Sequence, residues 1–163
     1  MAAGLTIYGD KLDECSEALT AGCTLTEDDM TRKILIDAEV SFNLFTEKVI
    51  DEISLLAPFG QANASPLFAE RGLKLKGLKK IGKEGNFLRF RLENRFGYDI
   101  TGTCFNDADL IVAELTDKYG AREVERAFAS GDNNIVLTAA YVPRLNEYRD
   151  VKEIQMNIKA LRI

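Results

Sequence analysis

Residues 71–95 read RGLKLKGLKKIGKEGNFLRFRLENR, and this stretch decides the fold. Leu73 and Leu75 alternate with Lys74 and Lys76; Leu88, Phe90 and Leu92 alternate with Arg89 and Arg91. Successive side chains of a strand point to opposite faces, so strict alternation predicts two half-buried strands. Between them, Gly82-Lys83-Glu84-Gly85-Asn86 supplies the turn residues of a hairpin. The leucines and Phe90 are expected to face a core and the cations to line an exposed sheet face. Phe87 has the parity of Arg89 and Arg91, which places a flat ring among cations.

The same stretch holds nine basic residues and two acidic ones, a formal +7. The whole chain is −5, so everything outside it sums to −12. Such a face has two readings. A curved basic sheet with an exposed ring suits sequence-tolerant binding of single-stranded nucleic acid. Lysines on exposed strands also promote solubility and guard sheet edges against aggregation.

Working outward, 163 residues suffice for one domain plus an appendage. Apolar content of 46% with 29% charged residues describes a folding chain rather than a disordered one. Cys15, Cys23 and Cys104 are odd in number and widely spaced, which suits reduced thiols in a cytoplasmic compartment and argues against a zinc ribbon. No apolar run approaches the roughly 20 residues that cross a bilayer, and no signal peptide is readable, so no membrane partner is expected. The chain has no histidine, which removes the commonest general base and transition-metal ligand.

Toward the N-terminus, Ala2–Tyr8 (AAGLTIY) reads as a short strand. Asp10 suits a helix N-cap, and Leu12, Cys15 and Leu19 keep helical spacing to a stop at Gly22. One strand and one helix cannot bury their own faces, so this region reads as the tail of another domain. Thr26 and Asp29 form a weak capping-box match within a polar connector. Ile34–Val40 (ILIDAEV) reads as a strand. Thr46 caps a helix over residues 46–57 whose Val49, Ile50, Ile53 and Leu56 form a core-facing stripe that stops before Pro58.

Leu56–Phe68 (LAPFGQANASPLF) is the most distinctive segment. Phe59 and Phe68 frame it and are expected to pin it to the core. Gly60 and Asn63 are turn formers in one reading, and in another they expose amides to a ligand phosphate.

Here the chain resembles the bacterial RecJ family, single-strand-specific 5′ to 3′ DNA exonucleases. LAPFGQANASPLF is similar to the family's Pro-Phe-Gly-x-Gly-Asn-Pro-x-Pro-x-Phe segment, with Ala62 and Ala64 replacing its second Gly and the Pro after the Asn. ILIDAEV resembles the strand leading into the family's C-terminal OB domain. LKLKGLKKIGKEGNFLRFRL resembles its first basic hairpin, LNEYRDVKEIQMNIKALRI its closing strands, and AAGLTI the segment after its Gly-Gly-His motif. The resemblance implies an α+β chain, mainly β with helices: a five-stranded OB-fold barrel over residues 29–163, preceded over residues 1–28 by a strand–helix remnant of the Gly-Gly-His domain and a connector. It further implies that the metal-dependent catalytic motifs, and the Mn or Mg they hold, belong to a domain absent from this chain. No cofactor and no catalytic residue is expected here.

The remaining chain reads as an OB barrel in its own terms. Tyr98–Phe105 is a third strand, with Gly102 at a barrel bend. Asn106 or Asp107 caps a helix with Leu110, Val112, Leu115 and Tyr119 as its apolar positions. The trio Asp99, Asp107 and Asp109 does not read as a metal site, because Asp107 and Asp109 are ordinary first-turn residues near a helix N-terminus. Arg122–Ser130 is a second short helix with Val124 and Phe128 inward. Ile135–Tyr141 is the fourth strand, residues 145–150 a hairpin loop, and Val151–Leu161 the fifth strand, with Ile154, Met156 and Ile158 inward and Gln155, Asn157 and Lys159 outward.

OB folds bind strands across one sheet face and the loops joining strands 1–2 and 4–5. The expected nucleic-acid residues are therefore Lys74, Lys76, Lys79, Lys80, Arg89 and Arg91 for phosphates, Phe87 and Tyr148 for stacking, and Gln155 and Lys159 for polar contacts. Tyr148 equally suits a ring packed on its own hairpin. The expected partner is single-stranded DNA. Two rivals stay open: a docking module for the acidic tail of a single-strand-binding protein, and a structural clamp that closes the nuclease.

Overall fold

In order, the elements are α1 (Leu12–Ala21), α2 (Glu27–Met30), β1 (Ala38–Glu39), α3 (Glu47–Ser54), β2 (Phe68–Ile81), β3 (Phe87–Glu93), β4 (Asp99–Cys104), α4 (Ala108–Tyr119), α5 (Ala121–Phe128), β5 (Val136–Tyr148) and β6 (Val151–Arg162). They come from a computed structural model that describes residues 4–30, 33–148 and 151–163, the side chains of Glu27, Asp28, Tyr148 and Val151 excepted. The described residues form two compact units that divide after Ile34.

In the first unit, residues 4–8 adopt no strand, contrary to the expectation for Ala2–Tyr8. A strand needs a neighbour for its amides, and no pairing partner for residues 4–8 exists among the described residues. Asp10 sits in a 3-10 turn rather than at the cap, and α1 begins at Leu12. The stop at Gly22 holds, its N–H donating to Ala18 O at 2.9 Å. Half of the capping box forms: the Asp29 N–H donates to the Thr26 carbonyl rather than to its hydroxyl, while Asp29 Oδ2 accepts from Thr26 N at 2.9 Å and from Thr26 Oγ1 at 2.7 Å. Those bonds hold the Asp29 carboxyl below its usual pKa.

The second unit is the expected α+β OB fold. β2 pairs antiparallel with β3 and, along its first half, with β5. β3 pairs with β4, β4 runs parallel to β6, and β6 pairs with β5. The sheet therefore closes on itself through five strands. β1 adds a sixth strand parallel to the start of β2, but only Ala38–Glu39 of the expected Ile34–Val40 pair.

Alternation sets the core, since Leu73, Leu75, Leu88, Phe90, Leu92, Met156 and Ile158 are all 2% exposed or less. Gly102 marks the tightest approach across it. A Cβ there would lie 2.7 Å from Ile158 Cδ1, so any larger residue requires the Ile158 side chain to shift. Asp107 caps α4 by accepting from Asp109 N and Leu110 N. The helix buries Ala108, Ile111 and Leu115, whereas Leu110, expected inward, is 60% exposed. In α5, Val124 and Ala127 are buried and Phe128 is open to solvent. The buried face of α4 runs through Ala108, Ile111 and Leu115, and that of α5 through Val124 and Ala127, a helical phase that turns Leu110 and Phe128 outward.

Thr46 caps α3 as expected, accepting from Val49 N, but Leu56 lies past the helix end and is exposed. Phe68 is pinned: its ring meets Phe45 at 5.0 Å, beside buried Tyr141. Burial and the Glu70 carboxylate push the Tyr141 phenol above its usual pKa, and its OH donates to Val40 O at 2.9 Å. Phe59, by contrast, lies at the surface. The expected hairpin loop over residues 145–150 is mostly strand, for β5 continues to Tyr148. β5 runs past Tyr141 through Pro143, which stands in register with Met156 of β6. No helix among the described residues is long and apolar enough to cross a membrane.

Candidate nucleic-acid interface

Register decides which cations share a face. In β2 and β3, Lys79 pairs with Arg89, Gly77 with Arg91 and Ile81 with Phe87. Across β3 and β4, Arg89 pairs with Thr103 and Arg91 with Thr101. Thr103 pairs in turn with Asn157, and Gln155 with Arg144 on β5. Paired residues point to the same side of a sheet. One outward face therefore carries Lys79, Arg89, Arg91, Thr101, Thr103, Asn157, Gln155 and Arg144.

Three adjoining depressions run along this face. The first, about 310 Å³, is lined by Lys74, Lys76, Arg91 and the Ser130–Val136 segment. A second of about 170 Å³ lies between Lys79, Arg89, Arg91 and Ser130. The third, about 410 Å³, holds Arg89, Thr103, Phe105, Arg144, Gln155 and Asn157. Arg91 and Ser130 join the first two, and Arg89 joins the second to the third. Cations thus border one continuous track.

Lys80 leaves the expected site. It pairs with Leu88, a core position, so its side chain starts on the inner side of the sheet. There it ion-pairs with Asp109 of α4 at 2.5 Å. The cause is a β-bulge between Leu75 and Gly77, which inserts one residue and reverses the parity of the residues beyond it. Lys74 points outward before the bulge, Lys79 after it. Lys76 stays beside the track but is tied to Glu93 at 3.6 Å.

Phe87 is half-buried, its edge against Phe105 at 5.2 Å with the planes at 65°. The open ring of the pair is Phe105, 57% exposed. Sequence reasoning missed Phe105 and Arg144. Phe105 closes a strand and stands beside Phe87 only once β3 and β4 pair. Arg144 lies beyond Tyr141, where the fourth strand is expected to end, and joins the face only because β5 continues to Tyr148. Gln155 is on the face, its Nε2 donating to Glu153. Lys159 is exposed but is the unpaired residue of a register shift between β5 and β6, and it lines none of the three depressions. The Tyr148 side chain lies outside the described residues, as do Arg149 and Asp150, so the expected stacking role falls there too.

The Gly60–Asn63 loop resolves toward the turn-forming reading. Gly60 and Asn63 bridge each other, and Asn63 Nδ2 donates to Leu56 O and Pro58 O at 2.8 and 3.0 Å. The Asn63 side chain is thereby spent on its own backbone. Asp107 is likewise committed to the α4 cap and Asp109 to Lys80. Among the described residues, no three His, Cys, Asp or Glu side chains gather as a metal site.

The family model described as RecJ OB domain matches residues 36–160 of this chain. Over 96 residues the chain is 28% identical to the single-stranded-DNA-specific exonuclease RecJ of Bacillus subtilis (strain 168), covering 58% of this chain and 12% of that protein. Two crystal structures of RecJ from Thermus thermophilus share the fold. The one in complex with Mg2+ aligns at a TM-score of 0.61 and 18% identity over 93% of this chain and 19% of that one. The one in complex with Mn2+ aligns at 0.55 and 18% identity over 82% of this chain and 16% of that one. The chain thus spans under a fifth of the length of these relatives.

Proposed function

We propose, from the premise that this chain belongs to the RecJ OB domain family, that its basic outer face holds single-stranded DNA for a longer single-strand-specific exonuclease of DNA repair and recombination. One observation carries this reading: the three joined depressions, bordered by Lys74, Lys79, Arg89, Arg91 and Arg144 and ending at the exposed Phe105 ring. Arginines and lysines spaced along a track neutralise successive phosphates, and released counterions drive the association. A ring at the end of the track offers a base a stacking partner without regard to its identity. Strand cleavage, and the Mn or Mg it needs, falls to the part of the longer protein beyond this chain. The cytoplasm is the compartment that suits such an enzyme.

The test is fluorescence anisotropy with labelled oligo-dT at two salt concentrations, beside a duplex of equal length. The expected result is binding to oligo-dT that weakens steeply with salt and exceeds binding to duplex. Lys79→Glu combined with Arg89→Glu should reduce affinity by roughly tenfold or more, through lost phosphate contacts. Unchanged affinity in that variant overturns the reading and leaves a structural clamp. An acidic peptide that binds the wild type while oligo-dT does not would assign the face to a protein partner.

A further inference from the structure

The turn that follows α5 carries a strained residue where the first two depressions meet. Ser130 has φ 54°, and among the described residues it is the one non-glycine in the left-handed region. The helix ends there in a Schellman turn, with Gly131 N donating to Arg126 O at 2.8 Å and Ser130 N to Ala127 O at 3.1 Å. That geometry favours glycine at position 130, because a Cβ crowds the backbone in this conformation. The chain holds serine there and places its glycine one residue later. Backbone strain of this kind gathers at ligand-binding sites, where function retains it. Gly77, at the β-bulge, lies opposite: a Cβ on it would come within 2.9 Å of Ser130 Oγ and 3.7 Å of Arg91 Cβ. The missing side chain thus leaves a seat for the Ser130 hydroxyl beside the stem of Arg91. Ser130 is exposed and lines the first and second depressions together with Arg91. The turn does not need that hydroxyl to hold its shape. Asn133 Nδ2 donates to Leu75 O and Gly131 O, and Asn133 Oδ1 accepts from Ile135 N.

Resting on the DNA-holding reading above, we infer that Ser130 is a phosphate-binding residue, its hydroxyl donating to one backbone phosphate of the single strand in the second depression. That depression, about 170 Å³, has room for a phosphate group and is lined by Lys79, Arg89 and Arg91 with no acidic residue. The first depression also contains Asp132, whose carboxylate repels a phosphate, so the anion sits on the Lys79 side of Ser130. The three cations supply charge on long, mobile stems. A short hydroxyl on a fixed turn supplies a donor at a set place. Serine hydroxyls are ordinary donors to phosphate, and such contacts fix the register of a strand without reading its bases. Glycine at position 130 would relax the turn and lose the donor. Serine is the smallest side chain that brings a hydroxyl to this spot, which accounts for both the strain and the glycine opposite.

The experiment compares the wild-type chain with Ser130→Gly and Ser130→Ala, by anisotropy with oligo-dT at several salt concentrations and by thermal melting. Both variants should lose roughly fivefold or more of the oligo-dT affinity, through one lost hydrogen bond to a charged acceptor. The salt slope should stay as in wild type, because no cation is removed. Ser130→Gly should melt as high as wild type or higher, since glycine adopts this φ without steric cost. Weaker binding without weaker folding is the combination that a structural role does not produce. If both variants bind oligo-dT like wild type, the role of Ser130 is overturned while the DNA-holding face stands. If only Ser130→Gly weakens binding, the stiffness of the turn matters rather than the hydroxyl, which also overturns it. A clear fall in the melting temperature of Ser130→Gly would make the hydroxyl a brace of the fold and overturn it as well. If wild type fails to bind oligo-dT, the face and this inference fall together.

Discussion

Lys79 and Lys80 are neighbours in the chain and stand on opposite sides of one strand. Lys79 borders the track, while Lys80 is held by Asp109. Replacing them should therefore have unequal effects. Lys80→Ala should change oligo-dT affinity less than about twofold, because its charge is already paired on the far side. Lys79→Ala should lower affinity and reduce the salt slope by roughly one phosphate's worth, read from anisotropy at several salt concentrations. The aromatic pair makes a similar contrast. Phe105→Ala should cost about 1–3 kcal/mol of binding through lost base stacking. Phe87→Ala should cost less binding and more stability, since Phe87 is the half-buried member that supports Phe105. If the two variants lose binding equally, Phe105 is not the platform.

Among the elements, β4 holds the glycine whose added Cβ would meet its nearest neighbour at the shortest distance, 2.7 Å. It is the strand that joins the basic hairpin to the closing hairpin, antiparallel to β3 and parallel to β6. Gly102 lets Ile158 and the Met156 Cβ approach across that junction. Gly102→Val should destabilise the fold by about 1–3 kcal/mol through overpacking. A lower urea midpoint with an unchanged slope would report this, and an unchanged midpoint would mean the junction can relax. The bulge in β2 matters in another way. It bends the strand so that its first half can pair with β5 and its second half with β3, and it sets which cations face the track.

For the molecule as a whole, every fully buried apolar side chain among the described residues lies in the unit that begins at Leu35. The first unit carries Leu5, Leu12 and Leu19 uncovered. A chain of residues 35–163 should consequently fold alone, melting within about 2 °C of the full chain, because no core is removed. It should also retain full oligo-dT affinity, since the whole track lies within it. A large drop in melting temperature would show that residues 1–34 contribute to the stability of the OB unit.

Much of this was legible before any coordinates. Leu73, Leu75, Leu88, Phe90 and Leu92 declare their faces through a period of two, and that pattern is local. Thr46, Asp107 and the Thr26–Asp29 pair declare helix starts through bonds that span only two or three residues. These features belonged to the sequence itself, because the chemistry that reports them acts between near neighbours. The closure of the sheet, the exposure of Leu110 and Phe128, the departure of Lys80, and the meeting of Phe105, Arg144 and Asn157 in one depression were decided only by the tertiary structure. Each depends on which strand lies beside which, and in what register, and a single inserted residue in β2 is enough to turn a side chain from one side of the sheet to the other.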